Sequence, residues 1–400
     1  MEKYDELLDR GVENIYPSRD ALKTLLESGK KLKLYQGFDP TGIKLHIGHM
    51  VGLIKLRQWQ DLGHEVIFLI GDGTGQAGDP SGKARARDKY LTNKELRENA
   101  KDYVMQAGRI VRFDGENPVK ILYNGEWLNK LNLVDILNIA DNFTLQQLEE
   151  RDMYVKRKAA GEQINMREFF YPMLQAYDSV AMQVDLELGG DDQTFNMLCG
   201  RTLSKRILGK EKFVMTTPLL TDSQGRKIGK TEGNVIALDS DPVDFFGMIM
   251  SLSDDVIVKC FKYITHVSLE EVSEIELKLQ KGENPMIFKK KLARELTKML
   301  NSEEDATRAQ ENFEKVFSRK ELPEEIAVKN VKTADLVQII VETQMAESKS
   351  VARRLIEQGA VRIDGEVVDK PIAVGKKEFI LNVGKRNFAK VVIDDQEPSN

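Results

Sequence analysis

"PTGIKLHIGHM", from Pro40 to Met50, is the segment on which our prediction of the fold depends most. It holds His46 and His49, two of the four histidines, three residues apart at the predicted start of a helix, so both face one side. A helix start attracts anions through its free N–H groups and its dipole, and Gly48 lets a flat ring approach the backbone. Together these features suit a nucleoside triphosphate, whereas alone they would also fit two surface histidines on an ordinary helix.

The sequence around this stretch alternates between strands and helices. "LKLYQGF" (Leu32–Phe38) predicts a strand before the turn, and an apolar periodic helix follows from about Ile47 to Leu62. "HEVIFLIGD" predicts a buried strand, Asn93–Ile110 a further helix, and "VDLELGG" a strand that leads into Asp191 and Asp192. We therefore predict an α/β fold with a Rossmann-like parallel sheet, whose ligand lies beyond the carboxyl ends of the strands.

The 400 residues are too many for one compact core, so we expect several domains. The α/β pattern covers residues 1–221, and a glycine- and lysine-rich loop and linker cover 222–243. The pattern is then helical over 244–320, and a small α+β unit covers 333–400.

The bulk composition excludes several classes of protein. Only Cys199 and Cys260 occur, so a disulfide framework or a cysteine zinc site is disfavoured and the cytoplasm is the expected location. The sequence has no run of signal-peptide or membrane-spanning type. A net charge of −5 argues against a chain that is basic all over, although a local basic face would be enough to bind nucleic acid.

A second stretch, "DSQGRKIGKTEGN" (Asp222–Asn234), carries Lys227, Lys230 and Thr231. A charged loop is usually just solvated. Paired with "HIGH" at His46–His49, however, "KIGKT" resembles the two signatures of class I aminoacyl-tRNA synthetases. It has Gly229 and Thr231 where serines are usual in that family.

A competing motif, "GTGQAG" (Gly73–Gly78), fits the G-x-G-x-x-G fingerprint of an NAD-dependent dehydrogenase. Its context is wrong, because the turn "DPSG" follows instead of a helix. Glu95 and Glu98 also lie on a predicted helix, where the fingerprint needs an acidic residue at a strand end. A Walker loop nearly fits "AGDPSGKA" but lacks its first glycine and its final Ser or Thr. The dehydrogenase hypothesis is therefore disfavoured.

A third stretch, "FFYPMLQAYDSV", places Tyr171, Gln175 and Asp178 on one helix face through spacings of four and three. An amphipathic core helix is the alternative, but buried polar groups need partners. The pattern resembles the amino-acid pocket of bacterial tyrosyl-tRNA synthetases, and the resemblance extends over essentially the whole chain. The tryptophanyl relatives share the two signatures but lack this helix pattern.

The resemblance implies a set of site residues. The implied tyrosine-binding residues are Tyr35, Asp79, Tyr171, Gln175, Asp178 and Gln193. The implied ATP-binding residues are Gly37, Asp39, His46, Gly48, His49, Gly190, Asp192, Lys227 and Lys230. The implied catalytic residues are Thr41, His46, His49, Lys227, Lys230 and Thr231. Gln36 stands where some relatives have a small residue near the ribose, so the contacts to the ATP sugar stay open.

The tail reads as two short helices and a hairpin turned at Asp364-Gly365. From Lys349 to Lys390 there are ten Lys and Arg against five Asp and Glu. The segment resembles an RNA-binding domain shared with a small-subunit ribosomal protein. The residues that could line its phosphate-binding face are Arg353, Arg354, Lys376, Lys377, Lys385 and Arg386.

The resemblance implies that tyrosine's carboxylate attacks the α-phosphorus of ATP and that tyrosine then passes to the 3′ end of tRNA(Tyr). The carboxylate is already ionised at neutral pH, so no general base is needed. We expect ATP with Mg²⁺ as substrate, no protein-bound metal, a homodimer and an anticodon-side role for residues 244–320. The alternative from another class is a synthetase-like RNA-binding regulator without catalysis.

Overall fold

The computed structural model describes residues 4–42, 44–81, 90–149, 151–231, 234–315, 328–384 and 387–393. The chain forms two compact units, Met1–Gln310 and Glu311–Asn400. The helices that begin in the first unit are α1 (Asp5–Asp9), α2 (Arg19–Glu27), α3 (Ile47–Asp61), α4 (Thr74–Ala77), α5 (Asn93–Ala107), α6 (Gly125–Leu128), α7 (Leu133–Ala140), α8 (Leu145–Glu149), α9 (Asp152–Ala159), α10 (Met166–Met182), α11 (Thr194–Leu208), α12 (Pro242–Met250), α13 (Ile257–Ile264), α14 (Leu269–Gln280), α15 (Pro285–Leu300) and α16 (Glu303–Phe313). Its strands are β1 (Asn14–Tyr16), β2 (Lys33–Phe38), β3 (Glu65–Ile70), β4 (Lys120–Tyr123), β5 (Leu186–Gly190), β6 (Phe213–Thr217), β7 (Lys230–Thr231) and β8 (Asn234–Val235).

The main sheet of the first unit has the strand order β1-β6-β5-β2-β3-β4. The strands from β6 to β4 run parallel to their neighbours, and β1 pairs antiparallel to β6 at the edge. The chain winds outward from β2 through β3 to β4 and then returns to place β5 on the other side of β2. This reversal opens a crevice at the carboxyl ends of β2 and β5, where an open α/β sheet binds its ligand.

The central strand β3 forms where the sequence is continuously apolar. In β3 every residue after Glu65 is buried, as expected for a central parallel strand covered on both faces. α3 follows β2 and buries Met50, Leu53 and Leu56. Gly63, in the left-handed region at φ +83°, lets the chain turn from α3 into β3.

The helices α12 to α16 follow the sheet in sequence, as the helical pattern after Asp244 predicted. α12 and α13 both pack against α15 and bury Phe245, Phe246 and Phe261 completely. α13 also contacts α3, so the helical segment is joined directly to the helix that carries the two histidines.

The second unit contains α17 (Leu336–Glu342), α18 (Lys349–Glu357) and a five-stranded sheet. The strands of this sheet are β9 (Val328–Val331), β10 (Val361–Ile363), β11 (Glu366–Val368), β12 (Glu378–Val383) and β13 (Asn387–Ile393). Its order is β11-β10-β12-β13-β9. Asp364 and Gly365 both have positive φ, at 49° and 88°, as a two-residue type I′ turn requires, and this confirms the predicted hairpin. The two helices and the sheet share one apolar core of their own.

Over the described ranges, no helix has both the length and the apolar character needed to cross a bilayer.

Candidate active site

A cavity of about 410 Å³ opens beyond the carboxyl ends of β2 and β5. Nearly all the residues implied by the sequence line it, although they come from segments up to about 190 positions apart. The predicted residues in its wall are Tyr35, Gly37, Asp39, Thr41, His46, Gly48, His49, Asp79, Tyr171, Gln175, Asp178, Gly190, Asp192, Gln193 and Lys227. Lys230 and Thr231 form β7, and the structure describes their backbone only.

The two histidines cap α3. His46 Nδ1 accepts a hydrogen bond from Gly48 N at 3.1 Å, and His49 Nδ1 accepts one from His46 N at 3.1 Å. Because each Nδ1 is an acceptor, a neutral ring carries its proton on Nε2. The rings lie 4.0 Å apart between centroids, and a Cβ at Gly48 would approach the His46 ring to 3.0 Å.

The expectation of free N–H groups at this helix start is wrong. Ile47 N donates to Ile236 O at 3.1 Å, Gly48 N to His46, and His49 N to His46 O at 2.8 Å. The first turn of α3 therefore offers an anion its dipole and its histidine side chains, with these backbone donors already engaged.

The lysine loop lies directly on this capped helix start. Ile228 N donates to Leu220 O, and Gly229 O accepts from Ile236 N, which fixes the loop between two flanking segments. Gly229 has φ +103°, and a Cβ there would lie 2.9 Å from His46 Nδ1. The loop needs glycine at this position both for its backbone conformation and for its contact with the histidine.

Lys227 reaches the cavity from the same loop. Its Nζ lies 2.6 Å from Asp192 Oδ2, and its side chain is 55% exposed. An exposed ion pair of this kind is weak, so Lys227 can exchange the carboxylate for a phosphate at small cost.

Asp39 is held at the centre of the cavity by two hydroxyl groups. Tyr171 Oη donates to Asp39 Oδ2 at 2.9 Å, and Thr74 Oγ1 donates to Oδ1 at 2.7 Å. A Cβ at Gly71 would lie 1.9 Å from Asp39 Oδ1, so only glycine fits beside this carboxylate. Burial, together with the charges of Asp39 and Asp79, raises the pKa of Tyr171 well above its usual value, so its hydroxyl is a donor.

A second carboxylate, Asp79, is oriented by its own partners. Ser81 N donates to Asp79 Oδ1 at 2.9 Å, and Gln193 Nε2 donates to Oδ2 at 2.9 Å. Asn196 Nδ2 in turn donates to Gln193 Oε1 at 2.8 Å. Asp79 and Gln193 are thereby brought together as the resemblance implied.

Asp178 lies at the buried end of the cavity. Its Oδ2 accepts from Asn124 Nδ2 at 3.0 Å, and its Oδ1 accepts from Trp127 Nε1 at 2.7 Å. Burial raises the pKa of Asp178 well above its usual value, and these two hydrogen bonds oppose that shift. Sequence reasoning missed Asn124 and Trp127, which follow β4 with no recognisable motif.

A polar cluster lies at the wall of the cavity around the predicted residues Tyr35 and Gln175, and sequence reasoning missed its other members, Ser179, Glu187 and Lys212. Tyr35 Oη and Ser179 Oγ are 3.1 Å apart, and Gln175 Nε2 donates to Glu187 Oε1 at 2.9 Å. Glu187 pairs with the fully buried Lys212. The sequence contained one indication of this cluster, since Glu187 is a charged residue inside the apolar run of β5.

Gln36 lines the cavity beside α3. A Cβ at Gly52 would lie 2.4 Å from Gln36 Oε1, so the missing side chain at Gly52 makes room for the longer one at Gln36. Gln36 Oε1 is buried and has no hydrogen-bond partner among the described residues.

The glycine motif at Gly73–Gly78 does not form a dinucleotide site. α4 is a single turn, and Gly78 leaves it with φ +82°. A Cβ at Gly75 would lie 2.8 Å from the Leu96 side chain, which shows that this glycine permits packing against α5. The long helix that would hold a pyrophosphate does not follow the strand here.

In the second unit, Arg353 and Arg354 are exposed on α18, and Lys376 and Lys377 are exposed before β12. Lys376 forms an ion pair with Asp364 of the hairpin turn. Lys385 and Arg386 lie outside the described residues. Across the part of the chain that the structure describes, no group of three or more His, Cys, Asp or Glu side chains is placed to hold a metal ion.

The fold, the capped histidine pair and the lysine loop define a class of protein. The family model "tRNA synthetases class I (W and Y)" matches residues 27–318, and the chain belongs to that family. An S4 domain model matches residues 336–371 of the second unit.

Within the family, the similar relatives are tyrosine–tRNA ligases. Those of Dehalococcoides mccartyi and Thermotoga maritima are each 40% identical over 395 residues, covering 98% of this chain and 98% and 97% of their own. A C-terminally truncated mitochondrial tyrosyl-tRNA synthetase from Coccidioides posadasii is 26% identical, with a TM-score of 0.62, and covers 78% of this chain and 92% of its own. The Archaeoglobus fulgidus tyrosyl-tRNA synthetase solved with L-tyrosine shares the fold at 23% identity and a TM-score of 0.61, covering 76% and 98%.

Proposed function

We propose that this chain is a tyrosine–tRNA ligase. It activates L-tyrosine with ATP to form tyrosyl-adenylate and pyrophosphate, and then transfers tyrosine to the 3′ end of tRNA(Tyr). One observation carries the proposal: α10 presents Tyr171, Gln175 and Asp178 to the same cavity that His46 and His49 line from α3.

The buried end of the cavity recognises the phenolic hydroxyl that distinguishes tyrosine from phenylalanine. Asp178 and Tyr35 bind the tyrosine hydroxyl, since a carboxylate held by two donors is a strong acceptor for a phenolic O–H. Phenylalanine would leave these polar groups unpaired in a closed pocket, which costs about 1–3 kcal/mol.

The open end of the pocket binds the ammonium group of the amino acid. Asp79, Tyr171, Gln175 and Gln193 surround this position, and Asp79 supplies the negative charge. Hydrogen bonds hold them in place before the substrate enters, from Gln193 to Asp79, from Gln175 to Glu187 and from Tyr171 to Asp39, which reduces the entropy lost on binding.

Activation of tyrosine requires that the reactants are positioned and that the developing charge is stabilised. It requires no general base, because the tyrosine carboxylate is already ionised. The tyrosine carboxylate attacks the α-phosphorus, and the bond to pyrophosphate breaks. Thr41, His46, Lys227, Lys230 and Thr231 stabilise the charge that grows on the leaving phosphates. The substrate that enters the cavity is the complex of ATP with Mg²⁺. The residues that bind the ribose and the adenine base of ATP are Gly37, Asp39, Gly48, His49, Gly190 and Asp192.

The second unit supplies tRNA contacts. Its exposed cations, Arg353, Arg354, Lys376 and Lys377, bind phosphates of the tRNA backbone together with Lys385 and Arg386. We assign residues 1–221 to catalysis, 222–243 to the lysine loop and its linker, 244–320 to the anticodon side of the tRNA and 333–400 to RNA binding.

The enzyme acts as a cytoplasmic homodimer. Helices α7 to α10 expose large apolar side chains, and such a surface is typical of a protein interface. These side chains are Leu133, Val134, Leu137, Leu145, Val155, Met166 and Phe170. Sedimentation equilibrium of the whole chain tests the dimer, and a monomer at micromolar concentration would contradict it.

Exchange of labelled pyrophosphate into ATP tests the activity. We expect labelled pyrophosphate to exchange into ATP when tyrosine is present, and phenylalanine and tryptophan serve as comparison substrates. A chain that binds tRNA but gives no exchange with tyrosine would be a regulator without catalysis.

A further inference from the structure

Lys212, directly before β6, is completely buried behind the amino-acid pocket. Its ammonium group has three partners, the Glu187 carboxylate, Ser179 Oγ at 2.9 Å and Met197 O at 3.1 Å, which satisfy its three N–H donors. A Cβ at Gly200 would lie 2.5 Å from Lys212 Nζ, so glycine there makes room for the cation. Burial lowers the pKa of Lys212, and the charge of Glu187 opposes this shift.

Stability alone does not explain this pair. Taking two charges out of water is expensive, and replacing a buried ion pair by apolar residues of similar size is often neutral or stabilising. The pair must therefore be considered with its surroundings, because Glu187 itself lines the cavity and so does Gln175, to which it is hydrogen-bonded.

The second oxygen of Glu187 fixes an amide. Glu187 Oε1 accepts from Gln175 Nε2 at 2.9 Å. A carboxylate held by Lys212 accepts hydrogen bonds only, so the NH₂ end of Gln175 must face Glu187 and the carbonyl oxygen must face away. That oxygen, Gln175 Oε1, is buried and has no hydrogen-bond partner among the described residues. A buried acceptor without a hydrogen bond destabilises the folded protein, unless a bound ligand donates a hydrogen bond to it.

We propose that Lys212 and Glu187 form a positioning pair that orients Gln175 so that its carbonyl oxygen accepts a hydrogen bond from the substrate's ammonium group. This inference rests on the proposed function, since it concerns the amino-acid pocket. The opposite amide orientation would present N–H groups to a cation and repel it. The pair therefore acts on the ammonium end of the substrate through the orientation of Gln175.

Two neutral double variants isolate this effect. E187Q/K212M keeps an acceptor for Gln175 Nε2, whereas E187L/K212M removes it, and neither leaves an unpaired buried charge. The ligands are tyramine, which has the ammonium but no carboxylate, and 3-(4-hydroxyphenyl)propionate, which has the carboxylate but no ammonium. Isothermal titration calorimetry measures both affinities without relying on catalysis.

We expect E187L/K212M to weaken tyramine binding by about tenfold or more, the scale of one hydrogen bond to a charged group, with the propionate unchanged. E187Q/K212M keeps tyramine binding within roughly threefold of wild type. The matched control is R157M/E168L, which removes a buried ion pair of 2.6 Å outside the cavity lining. It changes the Tm and leaves both affinities unchanged.

Wild-type tyramine affinity in E187L/K212M would overturn the proposal, and so would an equal loss of both ligands. If E187L/K212M shows no cooperative melting, E187M/K212L takes its place as the apolar pair. Failure of the proposed function is a separate result, because the wild-type chain would then give no tyrosine-dependent pyrophosphate exchange.

Discussion

At the residue scale, we assign the choice of amino acid to Asp178. Replacing it by alanine leaves the Asn124 amide and the Trp127 indole without their acceptor and removes the proposed partner of the substrate hydroxyl. We expect Asp178→Ala to lower the preference for tyrosine over phenylalanine by roughly 10–100-fold, corresponding to about 1.5–3 kcal/mol for a hydrogen bond to a charged group. The ratio of kcat/KM values in pyrophosphate exchange measures this. An unchanged ratio in a folded variant would place hydroxyl recognition elsewhere.

The residues that sequence could predict are those with a local pattern. Tyr171, Gln175 and Asp178 repeat at helical spacing on one face, and His46 and His49 share the start of a helix. Their supporting partners could not be predicted, because the contacts join distant positions. Asn124 is hydrogen-bonded to Asp178, which lies 54 residues away in sequence, and Lys212 is hydrogen-bonded to Glu187, which lies 25 residues away.

At the scale of elements, the lysine loop depends on Gly229. Gly229→Ala adds a Cβ 2.9 Å from His46 Nδ1 in a backbone conformation that costs about 1–2 kcal/mol for other residues. We expect adenylate formation to slow by at least tenfold while tyrosine affinity stays constant, since we assign the loop to the phosphates of ATP.

The matched control for this prediction is Gly225→Ala. Gly225 also has positive φ, at 77°, but a Cβ there would meet nothing within 4 Å. Gly225→Ala therefore also places a side chain in a positive-φ conformation, but without the histidine contact. Stopped-flow rates of adenylate formation separate the two variants, and equal rates would mean that the contact with His46 has no catalytic consequence.

The histidine helix α3 is anchored by a buried lysine. Lys55 Nζ donates to Leu7 O and Arg10 O at the end of α1, and burial lowers the pKa of Lys55 to about 7. A neutral amine still has two N–H donors for these two carbonyls.

This shift predicts a pH dependence. Between pH 7 and 10.5 the unfolded chain binds more protons at Lys55 than the folded chain, so the Lys55 contribution to stability rises with pH. Lys55→Met does not titrate. We expect the free energy of unfolding of wild type, relative to the variant, to increase by up to about 2 kcal/mol from pH 7 to 9 in urea titrations. A constant difference would show that Lys55 does not titrate in this range.

Among the elements, the predicted ones are those with strong periodic or continuous apolar patterns, such as β2, α3, β3 and α5. The edge strand β1 has three residues and none of them is buried, so its apolar pattern is too short to recognise. The strand β4 is short and only half-buried, and it was missed for the same reason.

At the scale of the whole molecule, the two compact units predict a separation of the two reaction steps. The candidate active site lies within Met1–Gln310, and the exposed cations of the tail lie within Glu311–Asn400. A chain ending at Lys315 keeps all of α12 to α16 and should retain pyrophosphate exchange within about threefold. Its aminoacylation should fall by roughly 100-fold or more, because phosphate contacts supply much of the affinity for nucleic acid at physiological salt. Full tRNA charging by the shortened chain would contradict the assignment of the tail to RNA binding.

The class predicted from the histidine and lysine signatures is confirmed by the family match over residues 27–318 and by the parallel sheet. The residue roles rest on the geometry of one cavity and on the chemistry that this geometry permits.

The decisive experiment for the proposed tyrosine–tRNA ligase activity is the charging of total tRNA with each of the twenty amino acids in turn. We expect the chain to esterify tRNA with tyrosine in an ATP-dependent reaction, and we expect phenylalanine and tryptophan to give no product above background. Efficient charging with any amino acid other than tyrosine, or no charging with tyrosine, would contradict it.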